Sequence, residues 1–187
     1  LLWFVAYLLV YTLPLAAALA LFPQVLRRWG AIFGRAPAWA LLLVPVLYFG
    51  VMRAFLMPMF EVTHALFDDW YNHAVSFPAF LLGFLIMKES RATETLVRLR
   101  WPALLGFAAA YAILVPYYWA YGRTDTPPPE TLRLAMRMVY GLDQWCAIVA
   151  ALGFGALHLN RDSPLLRSLT VAVFPFYIAH QTVIVVP

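Results

Sequence analysis

The sequence predicts an all-α fold, a polytopic bundle of transmembrane helices, on three observations. Of the 187 residues 64% are hydrophobic and 12% charged, against about 45–50% and about 25% in soluble domains. With a mean hydropathy of +0.79, the chain cannot build a water-soluble surface. Several apolar stretches approach 20 residues, the length at which a rise of ~1.5 Å per residue covers roughly 30 Å of hydrocarbon. The basic residues gather in every second connection between those stretches, as cytoplasmic loops do.

Six spans follow in order. Leu1 to Phe22 is free of charge; it lacks the basic start and small-residue cleavage site of a signal peptide, so it is taken as a span. Pro37 to Met57 carries one charge, Arg53. Val75 to Lys88 is short for a full crossing, which leaves little tilt, local bilayer thinning or extension into Asp69 to Asn72 as ways to meet the membrane. Trp101 to Tyr121 is again uncharged, Val139 to Leu159 contains Asp143, and Leu169 to Pro187 contains His180. Pro14, Pro45, Pro116 and Pro175 fall inside spans, where neighbouring helices can satisfy the carbonyls they free.

Orientation comes from the connections. Arg27, Arg28 and Arg35 follow the first span; Lys88, Arg91, Arg98 and Arg100 the third; Arg161 and Arg167 the fifth. These three connections are expected in the cytoplasm. The others hold Glu61, Asp68 and Asp69, then Asp125 and Glu130 around the turn-rich stretch Thr124 to Pro129, and are expected outside. Trp3, Trp29, Trp39, Trp70, Trp101 and Trp119 lie near span ends, as an aromatic belt would. A pI near 9.4 could suggest nucleic acid, but the basic residues sit in short loops that set topology, so no nucleic-acid partner is expected. The lone Cys146 excludes an internal disulfide and a cysteine-based metal cluster. The chain opens on Leu1 without methionine and stops at Pro187 within an apolar run. It is therefore expected to be one transmembrane domain, 1–187, incomplete at both ends.

Ionisable groups within lipid cost a few kcal/mol at least and are candidate sites by default. Arg53, Asp143 and His180 are the clearest. Asp143 has two readings, a functional carboxylate or an interfacial one paired with Arg137. Tyr177, His180 and Gln181, spaced i, i+3 and i+4, share one helical face; they either position a substrate or clamp two helices together. The segment Glu61 to His73, EVTHALFDDWYNH, holds two histidines and three acids. If it is helical, Glu61, His64 and Asp68 share a face and a metal site is conceivable, although di-iron bundles need further carboxylates and a second Glu-x-x-His. His64 to Asp69 also spells His-x4-Asp, which lacks the companion motif of the glycerolipid acyltransferases and is treated as coincidence. No Gly-x-Ser-x-Gly elbow or phosphate-cradling glycine loop occurs, and Gly153 and Gly155 read as close-packing positions.

Taken in order, several stretches resemble the Acyltransferase 3 family of multi-pass membrane enzymes, of the glucan-modifying succinyltransferase type. LWFVAYLLVY (Leu2 to Tyr11) is similar to the family's Leu-Trp-Phe-Leu span, and DWYNHAVSFPAFLLGFLI (Asp69 to Ile86) to its Phe-Leu-Leu-Gly-Phe region. YGLDQWCAIVAALGFGALHLN (Tyr140 to Asn160), followed by VFPFYIAHQTVIV (Val173 to Val185), is similar to its closing Tyr-x-x-His-Gln spans. The resemblance implies transfer of an acyl group from a cytoplasmic acyl-CoA-type donor to a carbohydrate hydroxyl at the outer face of a bacterial inner membrane, with no bound cofactor. The family's catalytic histidine, preceded by an arginine, would lie upstream of Leu1. Tyr177, His180 and Gln181 would shape the site, while Arg53, Glu61, Asp68, Asp69 and Asp143 would bind the acceptor or gate it. The rival readings are a transporter or flippase, whose intramembrane His and Asp would serve a proton or substrate path, and a structural membrane scaffold.

Overall fold

The computed structural model describes residues 3–123 and 126–185, with backbone alone for Phe174, Tyr177, Ile178 and residues 180–185. Among the described residues seven helices follow one another: α1 (Trp3–Leu21), α2 (Pro23–Gly34), α3 (Ala38–Phe55), α4 (Trp70–Lys88), α5 (Ser90–Tyr121), α6 (Glu130–His158) and α7 (Pro164–Val185). No strand occurs among the described residues. Helices α1, α3, α4, α5 and α6 are long and apolar enough to cross a membrane, and the fold is an all-α membrane helix bundle. The expected sixth span falls on α7, where many side chains lie outside the description.

Helix boundaries differ from the expected spans in a consistent direction. α5 begins at Ser90 and α6 at Glu130, about ten residues before the apolar stretches. Hydropathy marks where lipid starts, whereas backbone hydrogen bonding continues past that boundary into the charged segment. α4 takes in Trp70 to Asn72, the extension considered for the short third span. α2 is an addition. Its Pro23 sits at the helix start, where a missing N–H costs nothing, and Arg27, Arg28 and Trp29 on it are exposed.

The centre of the bundle is α6, packed along α5 on one side and α3 on the other. Small residues make the close approach possible. Ala103, Ala110 and Val149 are fully buried, a Cβ on Gly141 would lie 2.5 Å from the Gly50 nitrogen, and one on Gly153 would lie 2.5 Å from the Leu96 carbonyl oxygen. Lipid tails are as apolar as leucine, so helices in a membrane associate through such backbone-distance packing.

Two of the prolines inside helices, Pro45 and Pro78, are accommodated by donors from neighbouring helices. Pro45 has no N–H for the Leu41 carbonyl one turn earlier, and the indole Nε1 of Trp145 on α6 donates to it at 3.0 Å. Pro78 likewise frees the Ala74 carbonyl, which accepts from the Tyr48 hydroxyl of α3 at 2.8 Å.

The connections sort to two ends. The Glu89 carboxylate between α4 and α5 lies against Gly30 and Gly34 of α2, and Arg100 of α5 faces the Phe154 ring near the end of α6. All three basic connections thus share one end. The connection 56–69, the α5–α6 turn and the start of α1 occupy the other, in the alternation that the charge pattern requires.

Candidate functional site

The end opposite the basic loops holds most of the polar contacts between distant parts of the chain. After α3 the chain turns through 56–60 and runs irregularly to Asp69. The segment is not helical, so the shared face that a helix would have given Glu61, His64 and Asp68 does not form. His64 and Asp68 take φ of 55° and 70°, left-handed values that a right-handed helix cannot contain. Glu61 and Asp68 are exposed on this loop. Among the described residues no group of three His, Cys, Asp or Glu side chains lies close enough to hold a metal.

What the turn at His64 achieves is a bond to Asp69, which has no exposed surface. Asp69 Oδ2 accepts from the His64 backbone N–H at 2.9 Å, the Tyr7 hydroxyl at 2.8 Å and Asn72 Nδ2 at 3.0 Å. Oδ1 is buried without a partner. Burial alone would raise the Asp69 pKa, but the hydrogen bonds from Asn72, Tyr7 and the His64 N–H outweigh it and hold the carboxyl below its ordinary value. The Tyr7 hydroxyl also lies 2.7 Å from the Ala65 carbonyl oxygen, so one proton faces two acceptors.

Two histidines have their tautomers set by these neighbours. Asn72 Nδ2 can only donate, and its second contact, 3.2 Å to His64 Nδ1, makes that nitrogen the acceptor and leaves the proton of the neutral ring on Nε2. Trp3 stacks on the same ring at 4.4 Å. His73 Nε2 lies 3.0 Å from the Leu66 carbonyl oxygen, an obligatory acceptor, so Nε2 donates. His73 Nδ1 is then free to accept from the Tyr11 hydroxyl at 2.7 Å, and the Tyr7 ring stacks on His73 at 4.5 Å. Trp3, Tyr7 and Tyr11 recur every four residues and share one face of α1. They strap the 56–69 connection and the first turn of α4 to α1. Next to them a cavity of about 280 Å³ runs between α1 and α4, lined by Tyr7, Leu8, Tyr11, Ser76 and Phe80 among others.

The other candidates scatter. Arg53, on the last turn of α3, lays its guanidinium 3.3 Å from the Tyr140 ring centroid and donates to the Tyr71 hydroxyl at 3.2 Å. Tyr71 adjoins Asn72, so Arg53 borders the Asp69 group. Asp143 sits near the middle of α6, half-buried, with Oδ1 buried and unpartnered. It does not pair with Arg137, whose Nη1 donates instead to the Ala54 carbonyl at 3.1 Å. Tyr177, His180 and Gln181 fall on α7; their side chains lie outside the described residues.

Sequence reasoning missed Tyr7 and Tyr11. The available signal was the i, i+4, i+8 recurrence of Trp3, Tyr7 and Tyr11 in an otherwise mostly aliphatic helix. The fold and site together define a polytopic membrane protein with a hydrogen-bonded, aromatic-lined group at one end. No family model, curated protein or solved structure matches the chain.

Proposed function

We propose that this domain serves a membrane-bound acyltransferase, moving an acyl group from a cytoplasmic acyl-CoA-type donor to a carbohydrate hydroxyl at the outer face of a bacterial inner membrane. The observation that carries the reading is the group formed by Asp69, Asn72, His64 and Trp3 at the end opposite the basic loops. A sugar acceptor needs hydrogen-bonding groups held in fixed directions and an aromatic ring beside them. Here the buried Asp69 fixes Asn72 and the His64 backbone, Asn72 fixes the His64 ring, and the ring's Nε2–H remains to donate. The resemblance of Tyr140 to Asn160 and Val173 to Val185 to the closing spans of acyltransferases supports the same reading, with Tyr177, His180 and Gln181 shaping the site and Arg53, Glu61, Asp68 and Asp143 around the acceptor path.

The test uses the full-length protein in vesicles, with labelled acyl-CoA on the side of the basic loops and a neutral oligosaccharide on the other. Acyl ester on the oligosaccharide is expected. His64→Ala should raise the KM for the acceptor about fivefold, the worth of one neutral hydrogen bond, and leave the donor KM unchanged. Absence of ester product from full-length protein sinks the proposal.

One observation favours the second reading, a transporter or flippase. An ionisable group in the middle of a spanning helix without a partner, as Asp143 is, suits a proton path. Proton-coupled flux without acyl-CoA, abolished by Asp143→Asn, would establish that reading instead.

A further inference from the structure

Beside the Asp69 group, three arginines line one cavity of about 130 Å³. Arg53 comes from the end of α3, Arg133 and Arg137 from the first two turns of α6, and Tyr117 and Tyr118 of α5 with Met57 and Met136 form the rest of the wall. Arg133 and Arg137 are four residues apart on a helix, where like charges repel. Only Arg133 has an acidic partner among the described residues, the largely exposed Glu130. Arg53 has neutral contacts, the Tyr71 hydroxyl and the Tyr140 ring, and Arg137 donates to a carbonyl. Each guanidinium carries five donors, so most of their capacity is unused among the described residues, where the Arg133 Nε is buried without a partner. The first turn of α6 adds the positive end of a helix dipole.

We propose that this cavity is an anion site that takes a phosphoryl group, supplied either by a phospholipid headgroup or by a soluble phosphorylated ligand. One guanidinium fork occupies both oxygens of a planar carboxylate; three guanidiniums around one cavity suit a tetrahedral group, whose oxygens point out of a single plane. The volume admits the phosphoryl group and leaves the remainder of the ligand outside, against Tyr117 and Tyr118. Arginine forks match phosphate oxygens in pairs, which a lysine point charge does not. The cavity shares Arg53 with the proposed acceptor path, and its anion binding can be tested without acyl transfer.

The experiment measures the unfolding temperature of the purified full-length protein in uncharged detergent. Inorganic phosphate is titrated against chloride at equal ionic strength. Phosphate should raise the temperature saturably, by about 5 °C at a hundredfold excess over Kd, and chloride should not. Arg137→Gln should lose the response, and Arg28→Gln, at the other end of the bundle, should keep it. Arg53→Lys preserves the charge and guards against misfolding; it should bind phosphate about tenfold more weakly because the fork is gone. Nanodiscs of phosphatidylcholine, with and without phosphatidylglycerol, then separate the sources. Loss of the phosphate response only in the phosphatidylglycerol discs identifies the headgroup as ligand, and its persistence identifies a soluble one. Equal responses to phosphate and chloride in the wild type, or an undiminished response in both Arg137→Gln and Arg53→Lys, overturn the proposal.

Discussion

The two sides of the bundle are held together by opposite means. Around α6, backbones approach until Gly141 touches Gly50 and Gly153 touches Leu96, and the contact is one of shape. Around α1, aromatic side chains bridge the distance, and their hydroxyls reach Asp69 and His73. The first kind of contact fails when atoms are added, the second when atoms are removed. That difference places rigidity in the middle of the protein and adjustable polar chemistry at its edge, where the candidate site lies.

The largest expected effect is on the packed side. Gly141→Leu would drive a side chain into the Gly50 backbone, which cannot give way as a flexible side chain could, at about 3 kcal/mol or more. Loss of monodisperse folded protein in detergent is expected. Gly155→Ala, with nothing within 4 Å of its added Cβ, should unfold like the wild type. Equal behaviour of the two variants would show that close backbone packing does not hold α6 to α3.

On the polar side the expected effect is smaller and local. Asp69→Leu leaves the Tyr7 hydroxyl, the His64 N–H and Asn72 without their shared acceptor, at about 2–3 kcal/mol. Protease cleavage in the 56–69 connection should accelerate while hydrogen exchange in α5 and α6 stays slow. The Asp69 carboxyl titrates below its ordinary 3.8 in the folded state, so its contribution is complete above that pH and is lost as pH falls through the lowered folded value. Acid should therefore loosen the connection in the wild type and change Asp69→Asn less. Uniform acceleration of exchange across all helices would show that α1 and the centre unfold as one unit.

A third substitution sharpens the comparison where a directional bond enters the packed side. Trp145→Phe leaves the Leu41 carbonyl without a donor, at about 1–2 kcal/mol. Pro45→Ala restores the missing N–H, so the double variant should lose less than Trp145→Phe alone relative to the matching background, with a coupling of about 1 kcal/mol. Strict additivity of the unfolding free energies contradicts the relief by Trp145.

Five spanning helices were legible because hydropathy and helix length are tied by the thickness of the bilayer. α2 was not, because twelve residues mixing Arg27, Arg28, Trp29 and Ile32 satisfy neither a span nor a simple loop. Asp69 and Arg53 could be chosen as charges near lipid, but their partners could not: Tyr7 and Asp69 are 62 residues apart. Tyrosine in an apolar run looks like any aromatic filler until the destination of its hydroxyl is known. Glu61 to Asp68 reads as a connection, and the condition for a shared Glu61, His64 and Asp68 face, a helix, is not met: His64 turns to a positive φ and gives its N–H to Asp69.

The bond from Trp145 to Leu41 joins residues 104 positions apart, and this distance becomes a delay while the protein is being made. At about 5–20 residues per second, α3 emerges some 5–20 s before the indole that completes it exists. For Pro78 the order is reversed: Tyr48 precedes the Ala74 carbonyl by 26 residues and is already in place when α4 arrives. A nascent chain halted before Trp145 should hold α4 against α3 while leaving the Pro45 turn of α3 dependent on the insertion machinery for a polar partner.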